Sequence, residues 1–149
     1  MPNKRILPPT ILYAAIGLMV VLHLIVPGPQ LLAMPLALVG LLPLVLGVWI
    51  NLLADGAFKQ RGTTVKPFQE SSALVTTGVF RLSRNPMYLG FVLGLIGIAL
   101  LLGSLTPWIV IPVFAVVVDI VFIRVEEQML LAKFGQGFLD YKRATRRWI

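Results

Sequence analysis

The sequence predicts an all-α fold, an integral membrane bundle of four transmembrane helices followed by a cytoplasmic helical extension. Three observations carry this. Of the 149 residues, 58% are hydrophobic and only 13% charged, where a soluble domain is about a quarter charged. Four apolar segments stand apart from one another. All thirteen lysines and arginines fall in alternate connections. The chain reads as a single domain, residues 1–149.

The spans are expected at about residues 9–26, 36–54, 87–105 and 107–123. Each is near the ~20 residues that cross hydrocarbon. The first follows Lys4 and Arg5 and resembles a signal peptide. No small-residue cleavage site follows it and three further spans do, so it reads as an uncleaved helix. The third carries no charge and the fourth only Asp119. The fourth is slightly short, but its helix can continue into "RVEEQMLLAKF". That leaves a loop over residues 55–86 and a tail over 124–149. A connection of thirty residues from Asp55 to Arg84 is too long for a structureless linker. It reads either as an interfacial segment on the headgroups or as a wall over a site.

The cations set the orientation. Lys4 and Arg5 precede span one. Lys59, Arg61, Lys66, Arg81 and Arg84 lie between spans two and three, and Arg124, Lys133, Lys142, Arg143, Arg146 and Arg147 follow span four. The other two connections, "PGPQLLAM" and "GSLTP", are uncharged. The positive-inside rule then places the cationic side and both termini in the cytoplasm. The net charge of +7 belongs to this pattern and to contacts with anionic membrane lipids, not to nucleic acid. With no cysteine and one histidine, His23, disulfides and thiolate chemistry are excluded, and no metal site is expected. A Ser-His-Asp triad would require His23 beside a nucleophile.

Spans three and four are joined by a very short turn around Ser104–Pro107, so they should form an antiparallel hairpin. Folding the chain at residues 105–106, with equal rise on both arms, brings Asn85 level with Glu126 and Arg84 level with Glu127. Glu126 and Glu127 point about 100° apart on a helix, so one can face the hairpin and the other a ligand or solvent. Asp119 lies on nearly the same face as Glu126, roughly 10 Å deeper. It is either functional, or paired with Arg124 or snorkelling toward the interface. In "RNPMYLG", Asn85 suits an N-cap, Pro86 the first helical position and Tyr88 the aromatic belt. Gly90, Gly94 and Gly97 form a stripe that serves either close helix packing or close approach of a ligand. The glutamate pair has a plainer reading too, as part of a solvated helix with Lys133 as partner.

"GVFRLSRNPMYLG", followed about forty residues later by "EEQMLLAKFGQGFLDYKRATRRWI", resembles the isoprenylcysteine carboxyl methyltransferase and phospholipid methyltransferase superfamily over residues 78–149. The shared pattern is Arg-His-Pro-x-Tyr before one helix, then a Glu-Glu pair and a Phe-Gly…Tyr…Tyr tail after the next. The resemblance implies a small bacterial-type integral membrane enzyme, at the inner membrane, that uses S-adenosylmethionine. Its acceptor would be a lipid-like or prenylated molecule with a carboxylate or amine nucleophile. The matched positions imply Arg84 and Glu127 as catalytic residues and Asn85, Pro86, Tyr88, Leu89, Glu126 and Glu127 as the cofactor wall. Arg84 would clamp the cofactor carboxylate or an acidic head group, and Phe91 would be an apolar neighbour. Tyr141, Arg146 and Arg147 are further candidates. Asn85 departs from the family histidine, so no imidazole titrates there. The Gly-x-Gly element of the phospholipid enzymes is absent, the nearest stretch being "GLIG" at Gly94–Gly97. Known carboxyl methyltransferases have more than four spans. Two other classes stay open: an NADPH-dependent membrane reductase of the sterol-reductase type, which nicotinamide binding would reveal, and a non-enzymatic helical bundle. The sequence carries no signal for oligomeric state.

Overall fold

The structure, a computed structural model, describes residues 7–63 and 71–149. Lys4, Arg5 and Lys66 lie outside the described residues, as does the middle of the long connection. Helices dominate the described residues, as the apolar segments predict. Helix α1 spans Pro8–Ile25 and opens on two prolines, whose missing N–H groups cost nothing in a first turn. Ala15 and Met19, four residues apart, bury one face of α1, while Tyr13 and Leu24 are more than 70% exposed and face the bilayer.

A 3₁₀ turn, Leu36–Gly40, leads into α2, Leu41–Gln60. The expected span ended at residue 54, but α2 runs six residues further. Ala54 is fully buried, and Ala57 and Phe58 pack with it on a cluster containing Val75, Phe80, Phe138 and Tyr141. This buried face continues the helix out of the membrane and shortens the expected loop.

Helix α3, Pro86–Leu102, starts where Pro86 predicts and stops three residues early. Gly103 ends it with φ +72, the left-handed conformation that glycine adopts without a Cβ penalty. At 17 residues, α3 spans roughly 26 Å and sits at the short end of membrane-crossing helices. After a 3₁₀ turn, Thr106–Ile109, the chain continues as α4, Val110–Val118, a π-helical turn, Asp119–Ile123, and α5, Arg124–Phe134. These pieces form one helical run of 29 residues, Thr106–Phe134. Among the described residues three helices are therefore long and apolar enough to cross a membrane, and α3 is a shorter apolar helix beside them. Helix α6, Gln136–Ala144, completes the extension.

The glycine stripe packs helices. Gly90 lies against Gly47 of antiparallel α2 and Gly97 against Gly40 of the 3₁₀ turn that leads into it, and a Cβ at any of these four positions would collide with the facing segment. Gly94 differs, its nearest neighbour being 4.0 Å from such a Cβ. At the uncharged end, the α3–α4 turn is stitched to residues 26–32. Leu31 N–H and Leu32 N–H donate to Gly103 O, and Leu105 N–H donates to Pro29 O. His23 Nδ1 and Ser104 Oγ lie 2.7 Å apart. These bonds fix the hairpin at its turn, and Leu95, Ala99, Phe114 and Val118 fill its core. The register at the other end follows from these constraints.

Candidate active site

With the turn fixed, equal rise along α3 and the α4–α5 run returns the two polar motifs to one level. Arg84 Nη2 donates to Glu127 Oε1 at 2.8 Å, as the spacing predicts. Tyr88 Oη donates to Glu126 Oε1 at 2.9 Å. The spacing had put Asn85, one turn closer to the helix start, level with Glu126. Tyr88 takes that place because its long side chain lies on the hairpin face, stacked on Phe122 at 6.1 Å and edge-on to Phe91 at 6.2 Å. Phe122 belongs to the π turn, and such turns recur where a helix bears a site.

Asn85 holds the N-cap position, but its side chain makes no capping bond. Its Nδ2 instead donates to Arg147 O at 3.0 Å. Ser83 Oγ donates to the same carbonyl at 3.1 Å and accepts Asn85 N–H at 3.0 Å. Arg84 N–H donates to Arg146 O at 3.0 Å. The C-terminal residues thus run directly over the start of α3.

An ion network lies under them. Arg147 forks onto Glu127 through Nε and Nη2, at 3.1 and 2.7 Å, and reaches Asp119 Oδ1 through Nη1 at 3.2 Å. Arg124 Nε donates to Asp119 Oδ2 at 2.9 Å. Asp119 is therefore paired as the plainer reading foresaw, with Arg147 as a second partner. The Arg84 and Glu127 side chains are 7% and 11% exposed. Buried charges of this kind need partners on every side. Arg84 uses Nη1 on the carbonyls of Lys142 and Thr145. Its fork is thus turned to Glu127 and the tail, while its Nε is buried without a partner.

A cavity of about 930 Å³ adjoins this cluster. Arg84, Asn85, Pro86, Tyr88, Phe91, Glu126 and Glu127 all line it. Leu89 does not, although it was expected in the wall. It is adjacent to Tyr88 in sequence but about 100° around the helix, whereas Phe91, three residues on, shares the Tyr88 face. None of the stripe glycines lines the cavity. The rest of the lining is largely apolar, Ser71 and Lys133 excepted. It draws on Leu7–Pro9 at the start of α1, on Met129, Leu130 and Phe134 of α5, and on Leu74 and Val75 of the long connection. Sequence reading had offered a wall as one role for that connection, but not the start of α1, which no motif marks.

Tyr141 also lines the cavity, and its Oη donates to Phe80 O at 2.6 Å. Burial pushes its hydroxyl up to about 12, against the opposing pull of Arg84. The hydrogen bond to Glu127, aided by Asp119, holds the Arg147 guanidinium above the ordinary arginine range. Arg146 is exposed and is not among the cavity-lining residues. Among the described residues no group of three or more acidic, histidine or cysteine side chains is placed to hold a metal.

Fold and site together define a helical membrane protein with a polar-ended cavity at its cationic face. The sequence pattern of the phospholipid methyltransferases matches residues 36–137, and the chain belongs to that family. A Haemophilus influenzae protein, described as an uncharacterized protein, is 36% identical over 63 residues, covering 42% of this chain and all of its own length. The structure of the eukaryotic intramembrane Ras methyltransferase ICMT (isoprenylcysteine carboxyl methyltransferase) superposes with a TM-score of 0.68 at 25% identity. The alignment covers all of this chain and 53% of that one, so the chain spans about half the length of that enzyme.

Proposed function

We propose that the protein transfers a methyl group from S-adenosylmethionine to a lipid-like or prenylated acceptor at the cytoplasmic face of the membrane. The observation that carries this reading is the shape of one cavity. Its polar part is built by the Arg84–Glu127 and Tyr88–Glu126 pairs, and most of the remaining lining is apolar. The confinement of the cations to one end supports a cytoplasmic site and cytoplasmic termini.

The residues present fit the cofactor. A buried Arg84 Nε–H without a partner is a donor available to a carboxylate. Glu126 Oε1 is occupied by Tyr88, and its other oxygen can accept from a ribose hydroxyl or an α-ammonium. Glu127 already accepts three hydrogen bonds of the roughly four a carboxylate can take. Its main role is to hold Arg84 and Arg147, with one position left for a ligand. Bound S-adenosylmethionine supplies a methyl group already activated on a sulfonium. The chain's own task is to align an acceptor with it and to exclude water. Tyr88, Phe91 and Pro86 give that end of the cavity rigid walls, and the apolar wall receives the acceptor chain. A carboxylate acceptor needs no base at neutral pH. An amine acceptor must first lose a proton, and Glu126 is better placed for this than Asp119, which two guanidiniums hold.

The test is transfer of tritiated methyl from S-adenosylmethionine into lipid-extractable material by the protein reconstituted in bacterial lipid vesicles. Prenylated cysteine would be added in parallel. Label in either acceptor, lost in Glu126→Gln, supports the reading. No label in either acceptor contradicts it.

A further inference from the structure

Arg147 is not among the residues lining the cavity, yet it bonds to two that are, Glu127 and Asn85. Its guanidinium takes both oxygens of Glu127 as a fork and pins itself to Asp119. Its carbonyl receives Ser83 Oγ and Asn85 Nδ2, the preceding carbonyl receives Arg84 N–H, and Trp148 packs against the main core. Ordering a segment outside regular structure costs conformational entropy that its bonds must offset. Here the ties run to both motifs of the site, Ser83–Asn85 and Glu127. A planar fork fixes the orientation of a carboxylate, which a point charge does not.

The geometry points to Arg147 as a positioning residue for the proposed cofactor site. It strapped the C-terminal tail across the start of α3 and sets the angle of Glu127, which in turn orients Arg84. Asn85 then holds this strap, which accounts for an amide where no titrating imidazole is present. The inference rests on the cofactor reading given above.

The experiment is a double-mutant cycle on the full-length detergent-purified protein, read by calorimetric titration with S-adenosylhomocysteine. Arg147→Met and Arg147→Lys are expected to weaken affinity about tenfold in the wild-type background, and less than about threefold once Glu127→Gln is present. The Arg143→Gln control, a surface pair with Asp140, should leave affinity unchanged. Additive losses, or full affinity in Arg147→Lys, would overturn the proposal, since either shows that the fork on Glu127 is not what matters. Amide hydrogen exchange separates this failure from failure of the cofactor reading. If the wild type binds no ligand, the cofactor reading falls. The strap is still judged by the Arg84 amide, which should exchange at least tenfold faster in Arg147→Met. Unchanged exchange would overturn it.

Discussion

Arg84 and Glu127 stand 43 residues apart in sequence and meet through a 2.8 Å hydrogen bond, with side chains 7% and 11% exposed. Each is the other's compensation for leaving water. Arg147 also forks onto Glu127, so removing Arg84 strips one of two partners and costs toward the low end of the about 3–5 kcal/mol of an unpaired buried charge. Arg84→Met is therefore expected to lower stability by about 3 kcal/mol, read as a fall in the midpoint of denaturant unfolding in detergent. Arg84→Met combined with Glu127→Gln should recover part of that loss. A double variant as unstable as the sum of its parts would show that the pair is not coupled.

The glycine stripe makes a prediction with an internal control. A Cβ at Gly90 would meet the Asn51 side chain and the Gly47 backbone, whereas one at Gly94 has room. Gly90→Ala should push α2 from α3 and destabilise the protein by about 1–3 kcal/mol. Gly94→Ala should be neutral or slightly stabilising, because alanine is the better helix former. Thermal unfolding of both variants, side by side, checks the difference.

Tyr141 ties α6 to the turn at Phe80 through a 2.6 Å bond. Tyr141→Phe leaves the buried Phe80 carbonyl without this donor and should cost about 1–3 kcal/mol. The pH dependence has a definite sign. Burial raises the folded-state value to about 12 from an ordinary 10, so the folded state holds this proton more tightly than the unfolded chain does. The contribution is complete below pH 10 and is lost as pH rises from 10 through 12. Wild type should lose stability across that window and Tyr141→Phe should lose less. Unfolding midpoints at pH 9 and pH 11.5 measure it.

The fold and half of the site are legible in the sequence because they rest on local periodicity and one short turn. A four-residue hairpin turn leaves little freedom of register, so Arg84 and Glu127 can be aligned by counting. Leu89 shows the limit of a motif read as a string, since adjacency to Tyr88 does not put it on the same face. Asn85 suits a cap by residue type, but tertiary contact redirects its amide to the tail. The strap itself has no sequence signal. Its bonds join residues 58 to 64 positions apart, and neither end shows a period or a charge pattern that names the other. The share of α1 in the cavity, at Leu7–Pro9, is hidden in the same way, because ordinary helix-start residues also serve as a wall.

The Glu126 end of the cavity is the proposed cofactor site. It is tested most directly by calorimetric titration of S-adenosylhomocysteine into the detergent-purified protein, wild type beside Glu126→Gln. The substitution keeps size and a hydrogen-bonding group for Tyr88 while removing the charge. Wild type should bind, and the variant should bind at least tenfold more weakly, a difference of about 1.4 kcal/mol. Equal affinity in the two proteins, or no binding by a folded wild type, would contradict the assignment.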